Sequence, residues 1–394
     1  MVTELTPSSG LPGRNAERSA GRSRKGLGSL QPARVLVIVT RQIGDVLLTT
    51  PLIHEARRLW PAARIDVLGF AKTLGMLAGN PDVHGFVEAP SGANRESALA
   101  FARRIWRAYD LALIAEHSDR AHGYGFLAAP VRVGVVPPLR RHAWWKRLLA
   151  SHVVVNAGDR GNVHVVEEKL GLLAPWRGGA SGIPKSSVVA TPATPLPADL
   201  QGSLRDGFVV VHVPSLWTYK QWPIAGYGEL IRALVAAGRQ VVVTGSGSAS
   251  DREKVEQVVA VVGSALVINA AGKLDFGQIS ALLEKAALYV GPDTSVTHLA
   301  AAVGTPTLAL FGPTSPVRWG PVGRTSGTSA PWERRAADGQ TRGNVVLLQG
   351  NQGCVPCGRA GCADHRQSQS DCLDTMAPER VIREALRLLV ATPA

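Results

Sequence analysis

Short β-branched runs alternate with helical stretches in two separate series, and one segment crowded with Pro, Gly, Ser and Thr parts them. The first series holds RVLVIV (34–39), RIDVLGF (64–70), GFVEA (85–89), YDLALIAE (109–116) and VRVGVV (131–136). The second holds FVVVHV (208–213), QVVVTG (240–245), ALVIN (265–269), LYVG (288–291) and TPTLALFG (305–312), with helical patterns at 224–237, 250–262, 275–286 and 295–303. Runs like these, apolar without a polar face, belong in parallel sheets covered by helices. An alternation that starts twice predicts an α/β chain of two doubly wound, Rossmann-like domains facing across a cleft, with ligands at the carboxyl ends of the strands. The expected boundaries are a basic, disordered extension over 1–32, a first domain over 33–173, a linker over 174–202 and a second domain over 203–394. In the first domain a helix is expected from Val46 to Trp60, directly after the first strand. The second contains a cysteine-rich loop at 351–373 and ends in a helix at 377–390 whose Val381, Ile382, Ala385, Leu388 and Leu389 share one face.

A length of 394 residues suits two such domains. Hydrophobic content of 45% and charged content of 19% describe a soluble globular chain, and no apolar run approaches the roughly 18 residues a membrane span requires. The N-terminal stretch has no apolar segment of signal-peptide length, so a cytoplasmic location is expected. A net charge of +13 and a pI near 10.1 call for an anionic partner: nucleic acid, a membrane surface or a phosphorylated substrate. No RNA-binding, zinc-finger or helix-turn-helix signature is present, which argues against nucleic acid. TGSGSAS (244–250) lacks the Lys that would follow in a P-loop, which argues against nucleotide hydrolysis of that type.

Chemistry gathers at strand ends. In GPDTSVTHLAAAVGTPTLALFGPT (291–314) a strand stops at Pro292 and Asp293-Thr294-Ser295 opens a helix whose free N–H groups and dipole favour an anion such as diphosphate. Asp293 either caps that helix or faces a ligand; His298 beside it and the Gly312-Pro313-Thr314 turn favour the ligand. Asp45, in TRQIGDVLLTTP after the first strand, is an N-cap or a carboxylate able to take a proton from a substrate hydroxyl, with Gly44 allowing a tight backbone. Lys220, in VPSLWTYKQWP (213–223), is a solvated loop residue or a compact charge for a phosphate, with Trp217, Tyr219 and Trp222 as walls.

Taken together, the GD after the first strand, the K-x-W-P of the second half and the long 291–314 motif resemble the ADP-heptose:lipopolysaccharide heptosyltransferases, glycosyltransferase family 9. The resemblance covers about residues 33–391, and the GCVPCGRAGC tail brings it nearest to the heptosyltransferase II and III type. It implies a GT-B fold and an inverting transfer of heptose from ADP-heptose to the lipopolysaccharide inner core. By that resemblance Asp45 matches the general base, Lys220 the lysine on the diphosphate, Asp293 the carboxylate on the sugar hydroxyls, Thr294 and Ser295 the phosphate-holding helix start, and His298 the motif histidine. Ser215 falls where a hydroxyl touches phosphate, although Leu216 follows it. The loop SGSASDRE brings Asp251 and Glu253 late for a contact to the donor ribose. No metal cofactor is required, since helix dipole and Lys220 meet the charge on the leaving ADP. The competing readings are a relative using another nucleotide sugar or acceptor, and a GT-B binding protein without catalysis.

Two further groups remain. Cys354, Cys357, Cys362 and Cys372 form C-x2-C-x4-C-x9-C, which is open to a structural zinc, to disulfides or to reduced thiols shaping a loop. The basic run Arg140, Arg141, His142, Lys146 and Arg147, interleaved with Trp144 and Trp145, suits the phosphates and carboxylates of a lipopolysaccharide acceptor. That places the enzyme peripherally at the cytoplasmic face of the inner membrane.

Overall fold

The computed structural model describes residues 24–90, 92, 95–138, 143–158, 161–177, 188–324 and 331–391. Two sheets carry the chain. The first is wholly parallel and comprises β1 (Arg34–Ile38), β2 (Arg64–Gly69), β3 (Gly85–Glu88), β4 (Leu111–Ile114), β5 (Val131–Val136) and β6 (His152–Val155), in the order β3-β2-β1-β4-β5-β6. The second comprises β7 (Val209–His212), β8 (Val241–Thr244), β9 (Val267–Asn269), β10 (Leu288–Pro292), β11 (Thr307–Phe311), β12 (Gln340–Arg342) and β13 (Val345–Gln349), in the order β12-β13-β11-β10-β7-β8-β9. Among the described strands only β12 runs antiparallel, as a short edge strand on β13. The central strands β4, β7, β10 and β11 are buried along their whole length, as sheets covered on both faces by helices require.

In each sheet the first strand lies at the point where the winding reverses. β1 pairs with β2 on one side and β4 on the other, and β7 pairs likewise with β8 and β10. The loops leaving these paired strands splay apart, so a crevice opens at their carboxyl ends. Asp45 follows β1, Lys220 follows β7 and Asp293 follows β10. The two halves share a continuous core in which Val35, Val37 and Leu52 of the first join Leu282, Tyr289 and Leu299 of the second. The connecting chain holds on to both sides: Val189 N donates to Thr50 Oγ1, Thr191 Oγ1 to the Met76 carbonyl and Thr194 N to the Gly277 carbonyl.

Four expectations are corrected. The helix expected over 46–60 is two helices, Ile43–Leu47 and Thr50–Leu59, because Pro51 has no N–H for the Leu47 carbonyl and Thr50 Oγ1 supplies the bond instead. The extension is ordered well before residue 33: Arg24–Leu27 is helical, Leu27 packs on the core and Trp176 Nε1 donates to the Leu30 carbonyl. Strands β6, β12 and β13 were not expected. Last, the supposed linker does not begin as an irregular loop: its first residues, Ala174–Trp176, complete the 3-10 turn Gly171–Trp176 that closes the first domain. The C-terminal helix Pro378–Ala391 buries Val381, Ala385 and Leu389 on the second domain, on the face its periodicity indicates.

Candidate active site in the cleft

On the second-domain side, strand β10 ends at Pro292 and helix Ser295–Val303 begins after Asp293 and Thr294, with Thr294 in the N-cap position. No side chain caps that helix start. Asp293 turns away from it: its Oδ2 accepts from Lys220 Nζ at 2.6 Å and from Thr314 Oγ1 at 2.8 Å, while its Oδ1 lies 3.7 Å from His298 Nε2. The capping role for Asp293 is therefore excluded, and the first-turn amides remain uncommitted to a side chain, a geometry suited to an anion. The helix ends at Gly304, whose φ of 101° a side chain would strain.

Burial alone would push the Asp293 carboxyl up, but Lys220 and His298 hold it well below the usual carboxylate range. Burial likewise works against the Lys220 ammonium, and Asp293 more than offsets it, so the group stays charged above its ordinary range. A half-buried cation and a buried carboxylate 2.6 Å apart sit beside an open helix N-terminus.

The loop bearing Lys220 is organised by Gln221, which accepts from Ser215 N and donates to the carbonyls of Val213 and Trp222. Ser215 is buried, with Oγ accepting from Trp217 N, and Leu216 is exposed. Trp222 does not wall the site. It lies in the core of the second domain, edge-on to Tyr227, with Nε1 donating to the Met376 carbonyl. Trp217 instead carries the guanidinium of Arg366 at 4.4 Å from its ring centre. Asp251, after β8, accepts from Ser246 N and Oγ and so is tied to its own loop.

Arg366 belongs to the cysteine-rich loop, which also reaches the site through Ser370 Oγ, donating to the Tyr219 carbonyl, and Gly358 N, donating to the Pro313 carbonyl. The loop thus braces both the segment before Lys220 and the turn before Thr314. No disulfide joins its four cysteines. Burial pushes the Cys372 thiol up to about 12, with Cys357, Cys354 and Cys362 adding to the shift. Among the described residues no group of three or more His, Cys, Asp or Glu side chains is arranged to hold a metal ion.

Across the cleft, Asp45 occupies the first turn of helix Ile43–Leu47, with Gln42 rather than Asp45 at the N-cap. Its Oδ1 lies 3.4 Å from Arg41 Nε, and its side chain is 11% exposed, the largely sheltered but reachable setting a proton acceptor needs. A methyl placed on Gly44 would stand 3.7 Å from Ser295 Cα and 3.9 Å from His298 Cδ2. The helix starts bearing Asp45 and Thr294-Ser295 are therefore in contact across the cleft. Nearby, at the end of β4, Glu116 is buried with Oε1 accepting from Thr40 N, Thr40 Oγ1 and Ser118 Oγ.

The acceptor-side basic run is split. Arg140, Arg141 and His142 lie outside the described residues. Lys146 is not presented to solvent: it is buried, with Nζ donating to the His117 carbonyl at 2.6 Å and lying 2.7 Å from Asp119 Oδ1. Sequence reading missed Lys169, Glu116 and Arg318, all buried charges packed around the cleft and carried by segments without a motif. Thr314 was flagged only as part of a glycine turn.

Two doubly wound domains whose reversal points face each other across a cleft define the GT-B fold. The sequence profile of glycosyltransferase family 9 (heptosyltransferase) matches residues 98–344, and the chain belongs to that family: it is a glycosyltransferase. It is 30% identical over 293 residues to a lipopolysaccharide heptosyltransferase 3 of Escherichia coli, covering 71% of this chain and 83% of that one. Against lipopolysaccharide heptosyltransferase 1 of Pseudomonas aeruginosa the identity is 26% over 391 residues, covering 91% and 98%. Among solved structures, the E. coli ADP-heptose lps heptosyltransferase II superposes with a TM-score of 0.68 over 91% of this chain and 99% of that one, at 22% identity, a likeness of fold.

Proposed function

We propose that the protein transfers heptose from ADP-heptose to the inner core of lipopolysaccharide with inversion at the anomeric carbon. The observation that carries the reading is the contact between the two helix starts: a carboxylate from one domain and an uncapped helix N-terminus from the other face one space. In the proposed reaction Asp45 takes the proton of the acceptor hydroxyl as its oxygen bonds to the anomeric carbon. The bond from that carbon to the diphosphate oxygen breaks on the opposite face, and ADP leaves. Thr294, Ser295 and Lys220 take the growing charge on the leaving group, where fixed dipoles and a prepaid cation need no rearrangement. Asp293 accepts from sugar hydroxyls while its second oxygen keeps Lys220 oriented, and His298 and Ser215 complete the donor side.

On this reading the acceptor is an anionic sugar chain at the cytoplasmic face of the inner membrane, approached peripherally. Among the described residues no helix is long and apolar enough to cross a membrane. Exposed Trp144 and Leu148, one helical turn apart and next to Arg140 and Arg141 in sequence, support contact at that surface. The test is direct. The purified chain is incubated with an inner-core acceptor and ADP-heptose, and separately with other nucleotide sugars, while ADP or other nucleotide release and acceptor mass are followed. Addition of one heptose to the acceptor from ADP-heptose alone is expected; equal transfer from another nucleotide sugar, or none from any, would remove the reading.

A further inference from the structure

The short helix Val165–Leu170 touches both sides of the cleft and uses almost every polar residue it has to do so. Toward the second domain, His164 Nε2 donates to the Gly320 carbonyl at 3.0 Å and Glu168 Oε1 accepts from Arg318 NH2 at 2.9 Å. Arg318 NH1 also donates to the Val163 carbonyl. Toward the catalytic turn, Lys169 Nζ donates to the main-chain carbonyl of Asp45 and to Thr49 Oγ1, both at 2.6 Å.

That carbonyl is in need of partners. In an unbroken helix it would accept from the amide of Thr49, but the break before Pro51 sends Thr49 N to the Val46 carbonyl instead. Thr49 Oγ1 and Lys169 Nζ fill the vacancy. The one-turn helix bearing Asp45 is too short to hold itself in place, so its setting depends on these two bonds. Lys169 is itself 2% exposed, and an ammonium is retained there against a burial that pushes it down to about 8, with Asp45, Glu116 and Glu168 opposing the shift and Arg41 adding to it.

We infer that helix Val165–Leu170 is a strut that ties contact between the domains to the setting of the catalytic turn, with Lys169 the positioning residue for Asp45 and Arg318 the contact that seats the strut. The inference rests on the reading of Asp45 as the base. Neither residue touches the donor-binding groups, so their removal acts on turnover rather than on donor affinity. Because both act through one rigid helix, their effects are coupled, whereas independent packing contributions would multiply.

The experiment measures kcat, donor KM and ADP Kd for Lys169→Met, Arg318→Lys and the double variant of the full chain, with Asp45→Asn alongside. Lys169→Met is expected to lower kcat about tenfold and Arg318→Lys about fivefold, with ADP Kd unchanged and the double variant no slower than Lys169→Met alone. If Lys169→Met does not fold, Thr49→Val, which removes a hydroxyl shared by Lys169 and the Asp45 carbonyl, decides: a kcat about threefold lower with unchanged ADP Kd is expected. Full turnover in Lys169→Met or, failing that variant, in Thr49→Val overturns the inference while an inactive Asp45→Asn keeps the base. Losses that multiply in the double variant overturn the strut in the same way. An Asp45→Asn variant as active as the wild type would instead remove the base on which the inference rests.

Discussion

The two sides of the cleft hold their charged groups in different ways. On the second-domain side, Lys220, Asp293 and Thr314 bond to one another, so the site groups are their own supports. On the first-domain side Asp45 faces Arg41 at a longer 3.4 Å, and what fixes it is a main-chain carbonyl held by Lys169 from a helix more than a hundred residues away in sequence. On the proposed reading the second-domain side is set before any ligand arrives, as a site that must hold a dianionic leaving group benefits from being. On the same reading the first-domain side depends on how the halves are seated against one another, so that chemistry would wait on the first domain and donor affinity on the second.

The sharpest way to break that division is to remove one charge from each side. Asp45→Asn leaves an isosteric amide that cannot take a proton, so kcat should fall about 10²-fold or more while ADP Kd in calorimetry stays within a factor of about two. If ADP binding falls in parallel, the sides are not separable as described. Lys220→Ala should do the reverse first: ADP Kd rises about tenfold through loss of a charged contact to phosphate. It also leaves Asp293 buried without its cation, so the thermal midpoint drops, and Lys220→Ala/Asp293→Asn should recover part of that drop but none of the ADP affinity.

The same division explains what the sequence made legible. Apart from Ser215 and Lys220, the proposed donor side is written in one contiguous stretch: a strand end, Asp293, a helix start and a second strand followed by Thr314, all within 291–314, because a strand-turn-helix unit brings its own ends together. The division into two β-α series and the face of the C-terminal helix follow from short-range periodicity in the same way, while β6, β12 and β13 do not. The supports of Asp45 do not. Lys169 and Glu168 sit in a six-residue helix with no amphipathic repeat to mark it, and their partners come from Arg318 and from a helix break that a continuous apolar pattern over 46–60 concealed. Trp222 misled because an aromatic beside a site lysine reads the same whether it lines a cleft or fills a core; only the Met376 carbonyl 154 residues away distinguishes them. Lys146 misled likewise, since a basic run does not reveal which member finds an internal carbonyl.

Each domain also buries a histidine that burial keeps neutral, His164 in the first and His212 in the second, which allows the halves to be compared by pH. Burial pushes both His164 and His212 down to about 4, opposed by the Gly320 carbonyl for His164 and by Asp251 for His212. In the unfolded chain a histidine titrates near about 6.5. A group depressed in the folded state supports stability above its unfolded value and loses that support as pH falls toward the folded one, so stability should decline from about pH 6.5 down to about pH 4. Each histidine contributes of order 3 kcal/mol over that window. Asp293 does not share the window: its contribution is complete above the ordinary carboxylate range and is lost only as pH drops below it. Denaturant titrations between pH 7 and pH 4 are expected to show a shallower acid slope in His164→Gln and in His212→Gln. An unchanged slope in His164→Gln would mean that the contact with Gly320 opens before the histidine is protonated, which would count against the seating of the strut.

The smallest expected effect separates the basic run on the acceptor side into two kinds of residue. Lys146 is spent internally, on the His117 carbonyl and Asp119, and it ties helix Trp144–Leu149 to the turn that follows β4. Lys146→Met should therefore lower the thermal midpoint by the equivalent of about 1–2 kcal/mol, a buried donor's share, because the His117 carbonyl loses its partner. It should leave acceptor KM unchanged. Arg140→Ala/Arg141→Ala should do the opposite, raising acceptor KM about threefold at low salt with no change in midpoint, an effect expected to fade as salt rises because attraction between charges through solvent is screened beyond about 10 Å at 0.1 M ionic strength. Trp144 and Leu148, which follow the arginines in sequence, are exposed and apolar, so Trp144→Ser/Leu148→Ser should reduce sedimentation with anionic vesicles and, unlike the arginine pair, do so at high salt as well. Acceptor KM and vesicle binding that ignore both pairs would leave the charge of +13 without a role on this face, and would move the contact with the acceptor to the cleft itself, around Glu116 and Thr40.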